Sequence, residues 1–566
     1  MDQSSRRRAV VLHVCFCALF LGLIGRLYYI QVRQHDAFKS KAIDGARGKI
    51  EISTPPGAIY DRRDVPLAIS CPIDAAWANP QAIADKPAAA RLLAPALGMT
   101  EAEVLTKLGS ERLKFVFLKH HLTPEQSAAV KKLMGEPPFK LERRATDQRL
   151  GLRTEYQRQY PNGSALSAVL GHDSLEPSQR EGLERTLAQF LMLPPKSVTV
   201  EKDGRQQMIG APSVDLNGAE AKLTIDLLLQ RVVEEELESA CAEFHPKWAV
   251  AVAMNPKTGE ILAIANRPTF DPNQFSTAAP EARLNRVVSV PYEPGSTLKP
   301  FTCAYALDLN LIKPETMIDC ENGLWTHGPR TLHDHHPYSK ITLADVIKFS
   351  SNIGAAKVGA QILGQKRLYE CMKRWGFGER TGVDMPAEDS GLLFPLARWT
   401  IYSETSVPMG HEISVTPLQL CTAMSAIANG GTLYRPYVVR RIASTDGTLL
   451  VDNGPQAVRR VIGAKASREM IEILKGVVKE GTGKKAAMDG VEVAGKTGTS
   501  QKIDPKTKQY THEKYIASFV GFAPADDAKV CIAVVLDEPQ GGSYYGGAVA
   551  APVVGRILQR GLVYVK

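Results

Sequence analysis

The 566-residue chain has nine cysteines but no Cys-x-x-Cys pair and no spacing that suits zinc. Cys15 and Cys17 fall in an apolar run, and Cys303, Cys421 and Cys531 sit in segments that read as core. Neither a disulfide framework nor a metal site is implied, and the cysteines say little about compartment. Basic runs are missing beyond the N-terminus, although the formal charge is +9. No basic stripe is interleaved with aromatics, so nucleic-acid binding is not expected. Mixed clusters such as "KKLMGEPPFKLERR" fit solvated helical faces instead. Internal repeats, low-complexity tracts and cofactor-binding patterns are absent too. What remains is ordinary globular composition, 44% apolar and 23% charged. The length leaves room for about two to four domains and a large core.

One long apolar run is present, and it lies at the N-terminus. After "MDQSSRRR" comes "AVVLHVCFCALFLGLIG", in which His13 is the only clearly polar side chain. The run is short for a spanning helix, but "RLYYI" extends it to Ile30 if Arg26 snorkels to the interface. Tyr28 and Tyr29 then stand where an aromatic belt lies. Arg6, Arg7 and Arg8 favour a cytoplasmic tail and a body outside. A cleaved signal peptide needs a small-residue cleavage site, and "GRLYYIQV" offers none. The expectation is an uncleaved anchor.

From Gln31 to about Gly218 the chain is mixed and punctuated. "STPPGAIYDRRDVPLAIS" reads as turn, short strand, turn, strand, and Thr100 to Glu103 fits a capping box. No catalytic constellation is visible there. From about Ala219, "AKLTIDLLLQRVVEEELESACAEF" starts as a strand and becomes an amphipathic helix. "WAVAVAMNPKTGEILAIAN" reads as a hairpin. Helical segments follow, including "LADVIKFSSNIGAAKVGAQIL". Then come strands in "VEVAGKTGTS", "YIASFVGFAP" and "KVCIAVVLDEP", and a last helix. This order predicts an α+β fold, an antiparallel sheet flanked by helices.

Three short motifs carry the chemistry. "EPGSTLKP" places Ser296 three residues before Lys299, at a turn that gives way to a helix, so the two side chains share a face. A lysine beside a serine lowers the cost of removing its proton. Taken alone, the stretch reads as a helix start with a solvated lysine. "SSN" puts Ser350 and Asn352 at the head of a later helix, and alone it is ordinary capping composition. "KTGT", Lys496 to Thr499, ends the strand "VEVAG". A second Lys-Thr-Gly at Lys257–Gly259 sits in a hairpin turn and reads as structural. "HDHHP", His333 to Pro337, reads as a polar loop, since adjacent histidines on a strand point to opposite faces.

Ser-x-x-Lys, Ser-x-Asn and Lys-Thr-Gly in this chain order are the signature of penicillin-binding proteins and related β-lactamases. The chain resembles a class B penicillin-binding protein, a membrane-anchored monofunctional peptidoglycan D,D-transpeptidase, from anchor to last helix. The resemblance implies a cytoplasmic tail (1–8), an anchor (9–30), a non-catalytic pedestal of the dimerisation type (31–218) and a penicillin-binding transpeptidase domain (219–566). It implies that Ser296 attacks the D-Ala-D-Ala carbonyl and that Lys299 takes or relays its proton. Ser350 would protonate the departing amine, and Asn352 would orient the substrate amide. Lys496, Thr497 and Thr499 would hold the terminal carboxylate, with both threonines on one strand face. Gly498 would leave room for the substrate backbone as an added strand, and the N–H groups of Ser296 and Thr499 would form an oxyanion hole.

"PPGAIYDRRDVPLA" resembles the pedestal's usual segment, with Pro56 in place of an arginine and Asp64 in place of a glycine. "MGHEISVTPLQL" has His411 and Glu412 where the family often carries Tyr-Gly. "KEGTGKKA", "YIASFVGFAPA" and "SYYGG" resemble the septal, division-type members. The expected partners are peptidoglycan stem peptides, β-lactams as covalent inhibitors, the membrane, and a polytopic membrane glycosyltransferase with other divisome proteins. The location implied is the cytoplasmic (inner) membrane, with the catalytic domain on the outer side. An elongation-type enzyme, a β-lactam sensor, a β-lactamase and a non-catalytic scaffold of the same fold are the alternatives.

Overall fold

The structure, a computed structural model, describes residues 3–52, 54–109, 112–140, 148–193, 196–201, 217–504, 506–507 and 509–565; the end of "KKLMGEPPFKLERR" lies outside them. The chain forms two compact units, one of Met1–Pro55 with Leu193–Asn217 and one of Pro56–Met192 with Gly218–Lys566. In the first, α1 (Gln3–Tyr28) runs into a π-helical turn at Tyr29–Arg33. The helical stretch Arg6–Arg33 is long and apolar enough to cross a membrane. At ~1.5 Å per residue it exceeds the ~30 Å of a hydrocarbon core. Phe16, Leu19 and Phe20 on it are exposed. Arg26 holds its guanidinium 5.9 Å from the Tyr29 ring centre. Strands Arg47–Ile52 and Lys196–Glu201 pair antiparallel in the same unit.

The second unit begins with β1 (Ile59–Tyr60) and β2 (Pro66–Ala78), the two strands expected around the "DRRD" turn. Asp64 has φ 64°, a left-handed backbone that suits glycine and that aspartate tolerates. Its carboxylate meets Lys222 at 2.6 Å, so the departure from glycine keeps the turn and gains an ion pair. β3 (Val116–Lys119) and β4 (Leu150–Gln159) both pair with β2. From β4, Arg158 donates to the Gly57 carbonyl at 2.8 Å and to the buried Glu184 carboxylate at 2.7 Å. A guanidinium therefore covers the backbone next to Pro56. The capping box at Thr100 and Glu103 is present as expected.

β5 (Glu220–Leu223) and α2 (Leu227–Phe244) are the predicted strand and amphipathic helix. Asp226 caps α2 and takes Arg63 at 2.8 Å, while Asp61 accepts the Leu227 N–H at 3.1 Å. β6 (Trp248–Met254) and β7 (Ile261–Arg267) form the predicted hairpin. Its turn holds the second Lys-Thr-Gly, with Gly259 at φ 81° and Lys257 paired to Asp527. That copy is a turn.

The remaining elements that position the site are α3 (Lys299–Asp308), α4 (Asn352–Lys357), α5 (Pro417–Ala428), β8 (Val439–Ala443) and β9 (Leu449–Asp452). They are followed by β10 (Ala494–Ile503), β11 (Tyr510–Ala523), β12 (Val530–Asp537) and α6 (Ala551–Gly561). One seven-stranded sheet runs β9-β8-β5-β1-β2-β3 with β4 against β2. A five-stranded antiparallel sheet runs β10-β11-β12-β6-β7. Every residue of β12 is buried, because helices cover both faces of this sheet. Cys531, Ala533 and Val535 share a core with Ala423, Met424 and Ile427 of α5. Ile532, Val534 and Leu536 share another with Val233 of α2 and Ile557 of α6. Each such aliphatic side chain contributes ~1.5–3 kcal/mol on burial. The α+β fold class is as expected.

One helical expectation is corrected. "LADVIKFSSNIGAAKVGAQIL" is broken into Leu343–Lys348 and α4, with Ser350 between them at φ 64°. A serine in the left-handed region cannot continue a helix, and the break turns its side chain out of both.

Candidate active site

The turn that opens the site is built by glycine and proline. Gly295–Leu298 forms a single 3-10 turn, and α3 starts at Lys299 with Pro300 in its first turn, where a missing N–H is harmless. Gly295 has φ 56°, and a Cβ on it would stand 2.9 Å from the Thr499 carbonyl oxygen. Glycine thus lets the turn carrying Ser296 lie directly on β10. Ser296 is half-buried. The expected contact with Lys299 is not a hydrogen bond. Lys299 instead donates to the Ser350 carbonyl at 2.6 Å, the Ser350 hydroxyl at 3.2 Å and Asn352 Oδ1 at 2.9 Å. Contacts of a nucleophile with its base are often loose without a bound ligand and tighten only in the complex.

Lys299 is fully buried, and burial lowers its pKa to about 7, with Asp334 opposing. Lys496, fully buried on β10, donates to the Ser350 hydroxyl at 3.0 Å and to the Thr497 carbonyl at 3.1 Å. Its pKa is pushed well below the ordinary value by burial and by the charge of Lys299. Ser350 Oγ therefore sits between two buried amines, each of which disfavours a proton on the other.

The SSN corner is held by Asp334, from the polar loop "HDHHP". Asp334 accepts from the Ser351 hydroxyl at 2.6 Å, from the Ile353 N–H at 3.0 Å and from the Asn352 N–H. Asn352 Nδ2 donates to the His333 carbonyl at 3.2 Å, which fixes its amide with Oδ1 toward Lys299. The signal was an aspartate within reach of a helix N-terminus, but no spacing rule links residues this far apart on separate elements.

On β10, Thr497 Oγ1 lies 2.7 Å from Thr482 Oγ1 and 3.2 Å from Lys496 Nζ. Thr499 Oγ1 accepts the Gly546 N–H at 3.0 Å. Thr482 belongs to "KEGTGKKA", and its place beside Thr497 was not foreseen. Gly498 was expected to make space for substrate. A Cβ there would lie 2.4 Å from Ser518 Oγ, 2.8 Å from Thr297 Cγ2 and 2.9 Å from the Pro294 carbonyl. The glycine is needed by the protein's own packing of turn on strand. Tyr515, Tyr544 and Tyr545 stack in series, with centroids 3.9 and 4.5 Å apart, and the His335 ring stands 6.0 Å from Tyr545. Burial and Lys299 lower the His335 pKa.

The structure thus gathers Lys299, Ser350, Asn352, Lys496 and Thr497 into one hydrogen-bonded cluster, with Ser296 and Thr499 on the two backbones pressed together beside it. Residues 249–559 match the penicillin binding protein transpeptidase domain, and residues 51–193 match the penicillin-binding protein dimerisation domain. The chain belongs to the penicillin-binding proteins. It is a class B penicillin-binding protein of the FtsI type. It is 33% identical to the Stage V sporulation protein D of Bacillus subtilis, over 98% of this chain and 85% of that one. It is 31% identical to the peptidoglycan D,D-transpeptidase FtsI of Escherichia coli, over 97% of this chain and 90% of that one. Among solved structures, penicillin binding protein 3 of Mycobacterium tuberculosis complexed with aztreonam superposes with a TM-score of 0.69 at 25% identity. That match covers 91% of this chain and 96% of the other.

Proposed function

We infer that this penicillin-binding protein cross-links peptidoglycan stem peptides through an acyl-enzyme on Ser296. It is a serine-type D,D-transpeptidase. The observation that supports these residue roles best is the Ser350 hydroxyl held by both Lys299 and Lys496, at 3.2 and 3.0 Å. In the reading we propose, neutral Lys299 takes the Ser296 hydroxyl proton as Oγ attacks the carbonyl of the D-Ala-D-Ala bond. The N–H groups of Ser296 and Thr499 receive the developing oxyanion, and Asn352 orients the substrate amide. Ser350 protonates the departing D-alanine amine and is reprotonated from the lysines. Lys496, Thr497 and Thr499 hold the terminal carboxylate. An acceptor amine then attacks the ester, a C–N bond replaces the C–O bond, and the amine's proton returns to Ser296 by the same route. β-Lactams enter the first half of this cycle and stop there.

The finer proposals follow from the family. The role is septal, supported by likeness to the FtsI of Escherichia coli. The tail 1–8, anchor 9–30, pedestal 31–218 and transpeptidase 219–566 are the functional divisions. The anchor spans the inner membrane with the body outside, and anchor and pedestal meet a polytopic membrane glycosyltransferase and other divisome proteins. The test supplies purified protein with a peptide ending in D-Ala-D-Ala and an amine acceptor. One D-alanine should be released per joined product, and Ser296→Ala should release none. Replacing 9–30 by an unrelated hydrophobic helix should leave this activity intact and weaken co-purification with the membrane partner. Release without dependence on Ser296 would overturn the reading.

A further inference from the structure

The departure from Tyr-Gly at His411 and Glu412 lies at the turn that carries Ser296. Glu293, three residues before Ser296, accepts three hydrogen bonds from two other parts of the fold. His411 Nδ1 lies 2.9 Å from Glu293 Oε2, and the Glu412 N–H donates to Oε1 at 3.1 Å. The Tyr510 hydroxyl donates to Oε1 at 3.0 Å. The His411 and Tyr510 rings meet edge-on with centroids 5.2 Å apart. Glu412 holds φ 60°, a strained backbone for a glutamate, and its own carboxylate takes the Ser403 hydroxyl at 2.8 Å. Upstream, the Gly295 N–H donates to the Gly410 carbonyl at 3.1 Å, so the 410–412 loop is fastened to the turn at two points. Tyr510 opens β11, at the end of the hairpin where β10 finishes at Ile503.

β10 is an edge strand, paired on one side only, by β11. A peptide that adds to this edge binds best if the strand's far end is already held, since ordering it on binding lowers affinity. We propose that Glu293 is a strap that joins the nucleophile's turn, through Tyr510 and His411, to the end of the β10–β11 hairpin, and so pre-orders the β10 edge for the peptide-like ligand. Glu293, His411 and Tyr510 are positioning residues, and none of them bonds to Lys299, Ser350 or Lys496. Burial and Glu293 raise the pKa of Tyr510, which keeps its phenol protonated as the donor. The inference rests on Ser296 as the nucleophile.

The test measures penicillin acylation of the full-length protein in detergent, separating the noncovalent dissociation constant from the rate constant of acylation. Tyr510→Phe keeps the ring contact and removes the hydroxyl. It should weaken noncovalent binding about fivefold, the size of one lost hydrogen bond to a carboxylate at a partly exposed site, with the acylation rate constant unchanged within twofold. His411→Phe should do the same. The double variant should fall short of the product of the two, because both act through one carboxylate. Unchanged binding in both variants, or a loss confined to the acylation rate constant, would overturn the strap. Failure of the parent protein to label on Ser296 at all would instead overturn the nucleophile assignment.

Discussion

At the scale of single residues, the site turns on amines that are not charged like ordinary lysines. Lys299 has a pKa of about 7, against 10.5 for a free side chain, because burial removes its hydration. In the proposed cycle the base is neutral Lys299, so the acylation rate should rise with pH through a midpoint of about 7. The coupling of Lys299 to Lys496 makes that midpoint a property of the cluster. Stability should follow the same direction. Between about 7 and 10.5 the unfolded chain holds a proton that native Lys299 has shed, so stability gains with rising pH across that window. Asp334 is the charge that opposes burial. Asp334→Asn should therefore move the acylation midpoint to lower pH, and should cost about 1–3 kcal/mol of stability through weakened bonds to Ser351, Asn352 and Ile353. A stopped-flow acylation profile and a thermal melt of the variant check both; an unmoved midpoint would mean that Lys299 does not feel Asp334. Ser296, Lys299, Ser350, Asn352 and Lys496 were legible because each lies in a motif with fixed spacing. Asp334 and Thr482 were not, because their partners are far away in sequence and only the fold joins them.

At the scale of elements, the decisive contact is between the Gly295–Leu298 turn and β10. Both sides of it are cut back to glycine, Gly295 with its φ of 56° on the turn and Gly498 on the strand. The Cβ of Gly498→Ala would press on Ser518, which can rotate, and on the Pro294 carbonyl, which belongs to the backbone and cannot. Turn and strand must then separate. Overpacking of this kind costs about 1–3 kcal/mol, and misplacing reacting groups by about 1 Å costs about a hundredfold in rate. A melt lowered by that amount, together with an acylation rate reduced about a hundredfold, is the expected result. The strand itself was legible from "VEVAGKTGTS". The purpose of its glycine was not, since a sequence does not say which backbone will approach. The head of α4 at "SSN" was legible from its capping composition, but the left-handed backbone of Ser350 was not. Helical periodicity continues through "FSSN", and only the tertiary contacts of Ser350 reward its left-handed backbone.

At the scale of the whole molecule, the family resemblance implies a pedestal (31–218) followed by a transpeptidase domain (219–566). In the structure, residues on both sides of Gly218 share one sheet, where β5 pairs with β1 from before it and β8 from after it. Arg63 and Asp61 also reach Asp226 and the start of α2. Such long-range pairing leaves no local trace, whereas the continuous apolar run of β12 and the periodicity of α2 do, which is why these elements were legible. The cycle proposed above turns on Ser296 as the acylated residue. Peptide mapping by mass spectrometry of the full-length protein after reaction with penicillin tests it most directly. A single adduct on the peptide that contains Ser296, absent from a Ser296→Ala variant with an unchanged melt, is the predicted result. An adduct on any other residue, or one that persists in Ser296→Ala, would contradict it.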